Sequence, residues 1–360
     1  MSKVKPLSYL ADIKPYLPGD FAVDGVEEIV KLSSNESPLG PSPKAIEALA
    51  TLQPSLQIYP DSFATGLRNT IAEKYSLAPA QIVCEAGSEP IINLLARAYS
   101  QIGDEILFSQ YGFIAYKIAA LSMGATPVAA PEIAYTASVD SLLSCVSERT
   151  RILFLANPNN PTGTQLPFNE IERLRDSLRE DILLVLDAAY AEYCHGDEYR
   201  DGSSLVNTAA GNVVVLHTFS KIYGLAALRV GWAYAPPEIV EVLNNLRGVF
   251  TLSSAAQVCA IAALHDEAHL LKSRAHNDAT RASLSTQLAA LGFNVLPSAA
   301  NFVCVRFADS AAAEAADLLL RQNGLIPRTL NEYDMPDCLR ITVGLTRHCD
   351  KVVQILATTR

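Results

Sequence analysis

One lysine sets the chemical question. Lys221 stands in the run LHTFSKIYGLAALRVG, Leu216 to Gly231, just past a hydrophobic stretch, Val213–Leu216, that predicts a buried strand. Hydroxyls precede it at Thr218 and Ser220, and Arg229 follows eight residues on. Burial and a neighbouring cation both oppose the charged form of a lysine, and the free amine can then condense with a carbonyl. Ser220 and Arg229 would suit a phosphate beside it. The stretch taken alone fits equally well a lysine and an arginine on a solvated loop.

Two further segments narrow the choice. Ile182–Tyr190, ILLVLDAAY, is a hydrophobic strand that closes on Asp187 and then Tyr190. Ile152–Gly163, ILFLANPNNPTG, runs into Asn157 and a turn of Pro, Asn and Gly. An anion at a strand end could keep a pyridine nitrogen protonated. Asn157 and Tyr190 could both hydrogen-bond a ring hydroxyl. Open α/β sheets gather such groups at the carboxyl ends of their strands. A carboxylate that closes an apolar strand also needs a partner, which a plain core position would not supply.

With SSNESPLG (Ser33–Gly40), YPD (Tyr59–Asp61), AGSEPII (Ala86–Ile92) and LRITVG (Leu339–Gly344), these motifs keep one order along nearly the whole chain. The set resembles the fold type I pyridoxal-phosphate-dependent transferases, in the class II aminotransferase group, and among them the histidinol-phosphate aminotransferases. The resemblance implies an α/β fold: a mostly parallel central sheet in a three-layer α/β/α large domain, with a smaller C-terminal α+β domain. It implies an N-terminal arm over 1–28, a large cofactor-binding domain over 29–245 and a small domain over 246–360. The cofactor would be pyridoxal 5'-phosphate, held by Lys221, which then serves as general base. Asp187 would face the ring nitrogen, Asn157 and Tyr190 the ring hydroxyl, and Tyr111 the ring itself.

Around the phosphate the resemblance implies Ser88, Glu89, Ser220, Arg229 and, across a homodimer interface, Tyr59. On the substrate side it implies Tyr16, Asn35, Arg328 and Arg340. Arg340 would clamp the glutamate α-carboxylate, and Arg328 would meet a substrate phosphate or glutamate's side-chain carboxylate. The substrates would be histidinol phosphate and glutamate with 2-oxoglutarate. Two departures from the family pattern stand out. Glu89-Pro90 replaces an acid pair or an asparagine–glutamate pair, so backbone N–H groups rather than the Glu89 side chain should meet the phosphate. Ala188 stands where glutamate is common. Related readings are an aromatic amino-acid aminotransferase and a decarboxylase of threonine phosphate on the same scaffold. A cofactor-binding regulator without turnover would not need both Asp187 and Lys221.

Composition agrees with a globular enzyme. The chain has 360 residues, 49% hydrophobic, enough for a sizeable core. Its formal net charge is -10 and no basic run occurs, which argues against nucleic acid as a partner. Seven cysteines are scattered without CxxC or metal-type spacing, so no metal site is expected. The start lacks a signal-peptide core and no run approaches a membrane span, so a cytoplasmic location is expected. No GxGxxG follows a strand, which excludes a dinucleotide-binding reading.

The elements that must position these groups follow from periodicity. Strands are predicted at Ile29–Leu32, Ile82–Glu85, Glu105–Phe108, Thr126–Ala130 and Val230–Ala235, besides those above. Helices are predicted at Pro43–Ala50, Gly66–Tyr75, Ile91–Tyr99, Ile114–Met123, Val139–Cys145 and Asn169–Glu180. That alternation predicts a parallel sheet covered on both faces. Beyond Pro236-Pro237 come helices Glu238–Leu246, Ser253–Asp266 and Glu267–Leu291. Strands Phe293–Leu296, Phe302–Phe307 and Leu339–Val343 then accompany helices Ala311–Gln322 and Lys351–Thr358. Arg274, Arg281, His265, His269 and His276 are expected on solvated helix faces.

Overall fold

The structure is a computed structural model that describes residues 4–14, 23, 25–26, 28–52, 56–196, 198–208 and 210–359. Tyr16, expected on the substrate side, lies outside the described residues. In chain order the first elements are β1 (Val30–Lys31), α1 (Pro43–Ala50), α2 (Thr65–Tyr75), β2 (Ile82–Glu85), α3 (Ser88–Tyr99), β3 (Glu105–Ser109) and α4 (Ile114–Ser122). Then follow β4 (Thr126–Ala130), α5 (Val139–Ser144), β5 (Thr150–Ala156), α6 (Phe168–Ser177), β6 (Leu183–Asp187), β7 (Val213–Thr218) and β8 (Gly231–Tyr234). The chain continues with α7 (Pro237–Leu246), α8 (Ser254–Leu264), α9 (Glu267–Ala290), β9 (Asn294–Val295), β10 (Phe302–Arg306) and α10 (Ser310–Gln322). It closes with β11 (Leu325–Ile326), β12 (Arg328–Thr329), β13 (Cys338–Thr342) and α11 (Thr346–Ala357).

The central sheet has the order β2-β8-β7-β6-β5-β3-β4. Pairings from β7 through β6, β5 and β3 to β4 are parallel, and β8 runs antiparallel to both its neighbours. Strands buried on both faces read as continuous apolar runs, as in VVVL of β7. Alternate residues feed two cores. Val213 and Val215 join Leu67, Ile71, Ile171 and Leu174 on one face. Val214 and Leu216 join Ile91, Leu95, Ala119 and Leu243 on the other. Three layers result, as expected.

A second sheet, β12-β13-β10-β9, is antiparallel throughout and packs with α10 and α11. Packing links the two cores near residues 30 and 256. Leu32 belongs to this smaller core, and β1 pairs with β11, so the chain near residue 30 is tied to the C-terminal unit. Ala256, Cys259 and Ala260 of α8 are buried in the large core, so that core extends past residue 245. Helix α9 serves both, with Leu270 in the large core and Leu284 and Leu288 in the small one. Its expected solvated face is partly wrong. Arg274 donates to the Glu192 carbonyl, Arg281 to the Ala300 carbonyl at 2.6 Å and His276 to the Gly344 carbonyl at 2.9 Å. His269 Nε2 lies 3.2 Å from the Gly40 carbonyl, while His265 is exposed. These polar groups tie off loop carbonyls that no ladder would satisfy.

On the face of β7 away from Asp187, His217 is buried and stacks on Trp232 with ring centroids 4.2 Å apart. Its Nε2 lies 3.1 Å from Asp201 Oδ2 and its Nδ1 3.6 Å from Glu192 Oε1. Burial alone would lower the imidazole pKa, but the two carboxylates outweigh it and raise it to about 9. A raised folded-state pKa gives stability that is full below the unfolded value, about 6.5, and is lost as pH climbs through the folded one. The melting temperature should therefore fall between neutral pH and about 9. In a His217→Gln variant that slope should flatten from an already lower plateau. Parallel Tm–pH curves for the two proteins would show that His217 is not held charged.

Candidate active site

Strands β5, β6 and β7 end side by side, and their carboxyl ends open into a cavity of about 180 Å³. Ala156, Asp187 and Thr218, the last residues of the three strands, all reach its wall. Lys221, three residues past β7, lines it too. Its Nζ donates to the Ser34 carbonyl at 3.4 Å and stands 5.7 Å from the centroid of the Tyr190 ring. Burial, and after it the nearby Arg340 guanidinium, lower the Lys221 pKa to about 8. An appreciable fraction of the amine is thus unprotonated close to neutral pH, as a nucleophile or base requires.

Asp187 is only 6% exposed. Burial raises its pKa, opposed first by a hydrogen bond from Tyr116 and next by one from the Ala189 amide. The distances are 2.8 Å from Tyr116 Oη to Oδ2 and 3.1 Å from Ala189 N to Oδ1. Tyr116 is the partner that the sequence argument required but did not find.

The start of α3 forms the phosphate-sized corner. Gly87, with φ at +110°, precedes Ser88, and a Cβ there would come within 2.7 Å of Arg229 Nη2. A Cβ on Gly231 would meet Ser88 N at 2.3 Å. Glycine at both positions lets two backbones and the guanidinium close on one point. Arg229 Nη1 donates to Ser220 Oγ at 3.2 Å, and Ser88, Ser220 and Arg229 all line the cavity. The helix starts at Ser88, earlier than the predicted Ile91, so Ser88 and Glu89 present the N–H groups of its first turn, while Pro90, which has none, fills a place where the donor would be unpaired. Glu89 sits at the rim and is exposed.

Opposite stands the small-domain side. Asn35 is buried at positive φ: Nδ2 donates to Tyr190 Oη at 2.9 Å, and its backbone N donates to Thr342 Oγ1 at 3.0 Å. Thr342 Oγ1 donates back to Asn35 Oδ1 at 3.1 Å, and Asn301 Nδ2 donates to its carbonyl at 2.9 Å. Arg340 Nη2 donates to the Ser33 carbonyl at 2.6 Å and Nη1 donates to Asn160 Oδ1. Arg340 Nε, also buried, has no acceptor among the described residues.

Four sequence expectations are placed differently. Asn157 does not line the cavity: its Nδ2 donates to the Leu166 carbonyl at 3.0 Å and its Oδ1 accepts from Leu166 N at 2.9 Å, clamping the loop. Asn160, the fourth residue of the same NPNNPTG turn, lines it instead. Tyr111 stacks on Tyr135 at 5.5 Å, outside the lining, and Phe113 takes the wall. Arg328 is buried in an ion pair with Glu332, 2.7 Å away, and lies across the ladder from Arg340 rather than in the cavity. Tyr59 is 76% exposed and stacks on Phe250 at 4.6 Å, away from this site. Lys221, Asp187, Tyr190, Ser88, Ser220, Arg229, Asn35 and Arg340 are brought together.

The lining has two carboxylates, Asp187 deep inside and Glu89 at the rim, and three cations, Lys221, Arg229 and Arg340. That balance suits an anionic guest. The donor set fits pyridoxal phosphate: hydroxyls, helix N–H groups and a guanidinium for the phosphate, a buried anion for a protonated ring nitrogen, and an amine of lowered pKa for the aldehyde. Among the described residues no group of three or more His, Cys, Asp or Glu could hold a metal ion.

Comparison with known proteins agrees with this geometry. Residues 27–356 match the family model for aminotransferase class I and II. The chain is 49% identical over 358 residues to histidinol-phosphate aminotransferase of Paramagnetospirillum magneticum, covering 99% of this chain and 98% of that one. It is 45% identical to the corresponding enzyme of Rhodospirillum centenum, covering 99% and 98%. The crystal structure of histidinol-phosphate aminotransferase from Sinorhizobium meliloti, in complex with pyridoxal-5'-phosphate, superimposes with a TM-score of 0.91 at 25% identity, covering 100% and 99%.

Proposed function

This chain belongs to the class I and II aminotransferases, and we propose that it transfers the amino group of L-histidinol phosphate to 2-oxoglutarate, giving imidazole-acetol phosphate and L-glutamate, with pyridoxal 5'-phosphate as cofactor. The observation that carries the reading is the meeting of Lys221 and Asp187 in one cavity beside the Ser88–Ser220–Arg229 corner. The near-full-length similarity to histidinol-phosphate aminotransferases supports the substrate and a place in histidine biosynthesis.

When bound, pyridoxal phosphate supplies the aldehyde and the electron-withdrawing ring that make the substrate's Cα–H acidic. The chain's residues do the rest. Lys221 Nζ moves the proton from the substrate Cα. Asp187 holds a proton on the ring nitrogen. Tyr190, its hydroxyl aimed by Asn35, serves the ring hydroxyl. Asn157 keeps one Nδ2 hydrogen beyond its bond to Leu166, and we assign that hydrogen to the ring hydroxyl beside Tyr190. Phe113 lines the cavity wall two residues on from Tyr111. Arg340 offers its unpaired Nε to the carboxylate of glutamate. Glu89 contributes through its backbone at the helix start.

Arg328 and Arg340 are directly opposed on an antiparallel pair, so both side chains share one face of the sheet. We assign Arg328 to the substrate phosphate from this second row. Arg328→Ala should reduce kcat/KM for histidinol phosphate by about tenfold or more, since charge-assisted hydrogen bonds are the strong ones. Its effect on phenylalanine should be smaller. Equal losses would leave Arg328 as no more than the partner of Glu332.

The exposed Tyr59 lies in an apolar patch with Leu56, Ile58, Val249 and Phe250. A patch of this kind marks an interface, and we assign it to a homodimer in which Tyr59 reaches the phosphate of the second subunit. The seven cysteines, all free, suit a cytoplasmic setting. The test of substrate is kcat/KM of the purified enzyme for histidinol phosphate, phenylalanine and phosphothreonine. Histidinol phosphate should lead; a preference for phenylalanine, or carbon dioxide released from phosphothreonine, would replace the reading.

A further inference from the structure

Tyr116 sits in the first turn of α4 with its side chain wholly buried. Three aromatic rings surround it. It stacks on Phe154 at 4.7 Å with an interplanar angle of 2°, meets the edge of Phe113 at 5.9 Å and tilts against Phe108 at 6.4 Å. It belongs to the apolar core that also holds Ile92, Leu95 and Ala120. A phenylalanine would pack there as well, and a hydroxyl buried in such surroundings is costly unless bonded. The hydroxyl has one bond, to Asp187 Oδ2 at 2.8 Å.

The carboxylate needs that bond. Buried and left with the Ala189 amide as its only other donor, Asp187 would take up a proton more readily and become a neutral acid. A neutral acid cannot balance a charged ring nitrogen. The bond also occupies Oδ2 on one side, while Ala189 N occupies Oδ1. Each oxygen keeps one lone pair, so the carboxylate plane is fixed and its remaining acceptor capacity is directed. The aromatic cage leaves the phenol one orientation, and burial pushes its pKa well above 10, so it stays a donor.

We infer that Tyr116 is a positioning residue for the reaction: its hydroxyl keeps Asp187 ionised and oriented, and so sets how firmly the cofactor's ring nitrogen is held in its protonated form. This rests on the assignment of Asp187 to the ring nitrogen.

Tyr116→Phe removes one oxygen and keeps the cage. Two measurements on cofactor-free protein test it. The first follows the Asp187 side-chain carbon in protein labelled with 13C-aspartate, the signal being assigned by its loss in Asp187→Asn. Its titration midpoint should rise by roughly one pH unit in Tyr116→Phe, the value of one hydrogen bond to a charged group. The second compares the Kd of pyridoxal phosphate with that of its 1-deaza analogue, which carries a ring carbon in place of the nitrogen. The variant should bind pyridoxal phosphate about tenfold more weakly. It should bind the deaza analogue as the parent does, which also shows that the site is folded.

An unmoved midpoint, or equal weakening of both ligands, would overturn the inference and leave Tyr116 a packing residue. Asp187→Ala separates this from failure of the underlying assignment. It should weaken pyridoxal phosphate and spare the deaza analogue. Should it treat the two ligands alike, Asp187 does not face the ring nitrogen, and the role of Tyr116 falls with it.

Discussion

Lys221→Ala should leave a folded protein that binds pyridoxal phosphate without covalent attachment and turns over at least ~10²–10⁴-fold more slowly, the range for loss of a positioned general base. The expectation follows from the cavity. Lys221 Nζ is held by the Ser34 carbonyl and lies over the Tyr190 ring, so no other described lysine lines this cavity to take its place. The phosphate corner of Ser88, Ser220 and Arg229 does not depend on it and should still hold the cofactor. The visible absorbance of the attached cofactor should vanish. In the parent protein the rate of cofactor capture should rise with pH and level off above about 8, as the amine loses its proton. A variant with unchanged turnover would place the reactive amine elsewhere.

Asp187→Ala should be the second most damaging change, slowing turnover by roughly 10²–10³-fold, as loss of one preorganised electrostatic partner does. It also leaves the Tyr116 hydroxyl buried without its acceptor, which adds a stability cost of about 1–3 kcal/mol. The two effects separate by measurement. The melting temperature of cofactor-free protein reports the unsatisfied hydroxyl. The Asp187→Ala, Tyr116→Phe double variant removes that penalty and should recover part of the stability while recovering no activity. Recovery of both together would mean that Asp187 acts through packing alone.

The sheet was legible because buried parallel strands are apolar runs. The predicted runs Glu105–Phe108 and Val213–Leu216 fall within the buried parallel strands β3 and β7, and Ile82–Glu85 and Thr126–Ala130 match the antiparallel β2 and the edge strand β4 residue for residue. The chemistry at strand ends was legible for the same reason: Asp187 and Lys221 interrupt or follow such runs. What could not be read was which of two equivalent neighbours faces the cavity. Asn157 and Asn160 each precede a proline three residues apart, and composition does not rank them. The fold does, by committing the Asn157 amide to Leu166. Tyr111 and Phe113 present the same ambiguity, settled by Tyr135 arriving from another loop. Contacts between distant segments left no local trace. Tyr116 with Asp187 and Thr342 with Asn35 join residues 71 and 307 positions apart. The polar side chains of α9 read as solvated because their acceptors are backbone carbonyls, which no sequence pattern marks.

Reduction with borohydride tests the central claim most directly. The purified protein is saturated with pyridoxal phosphate, reduced, digested and mapped by mass spectrometry. The pyridoxyl label should fall on Lys221, within the peptide that carries Thr218, Phe219 and Ser220. A label on a different lysine, or none, would contradict the assignment of this cavity as the active site.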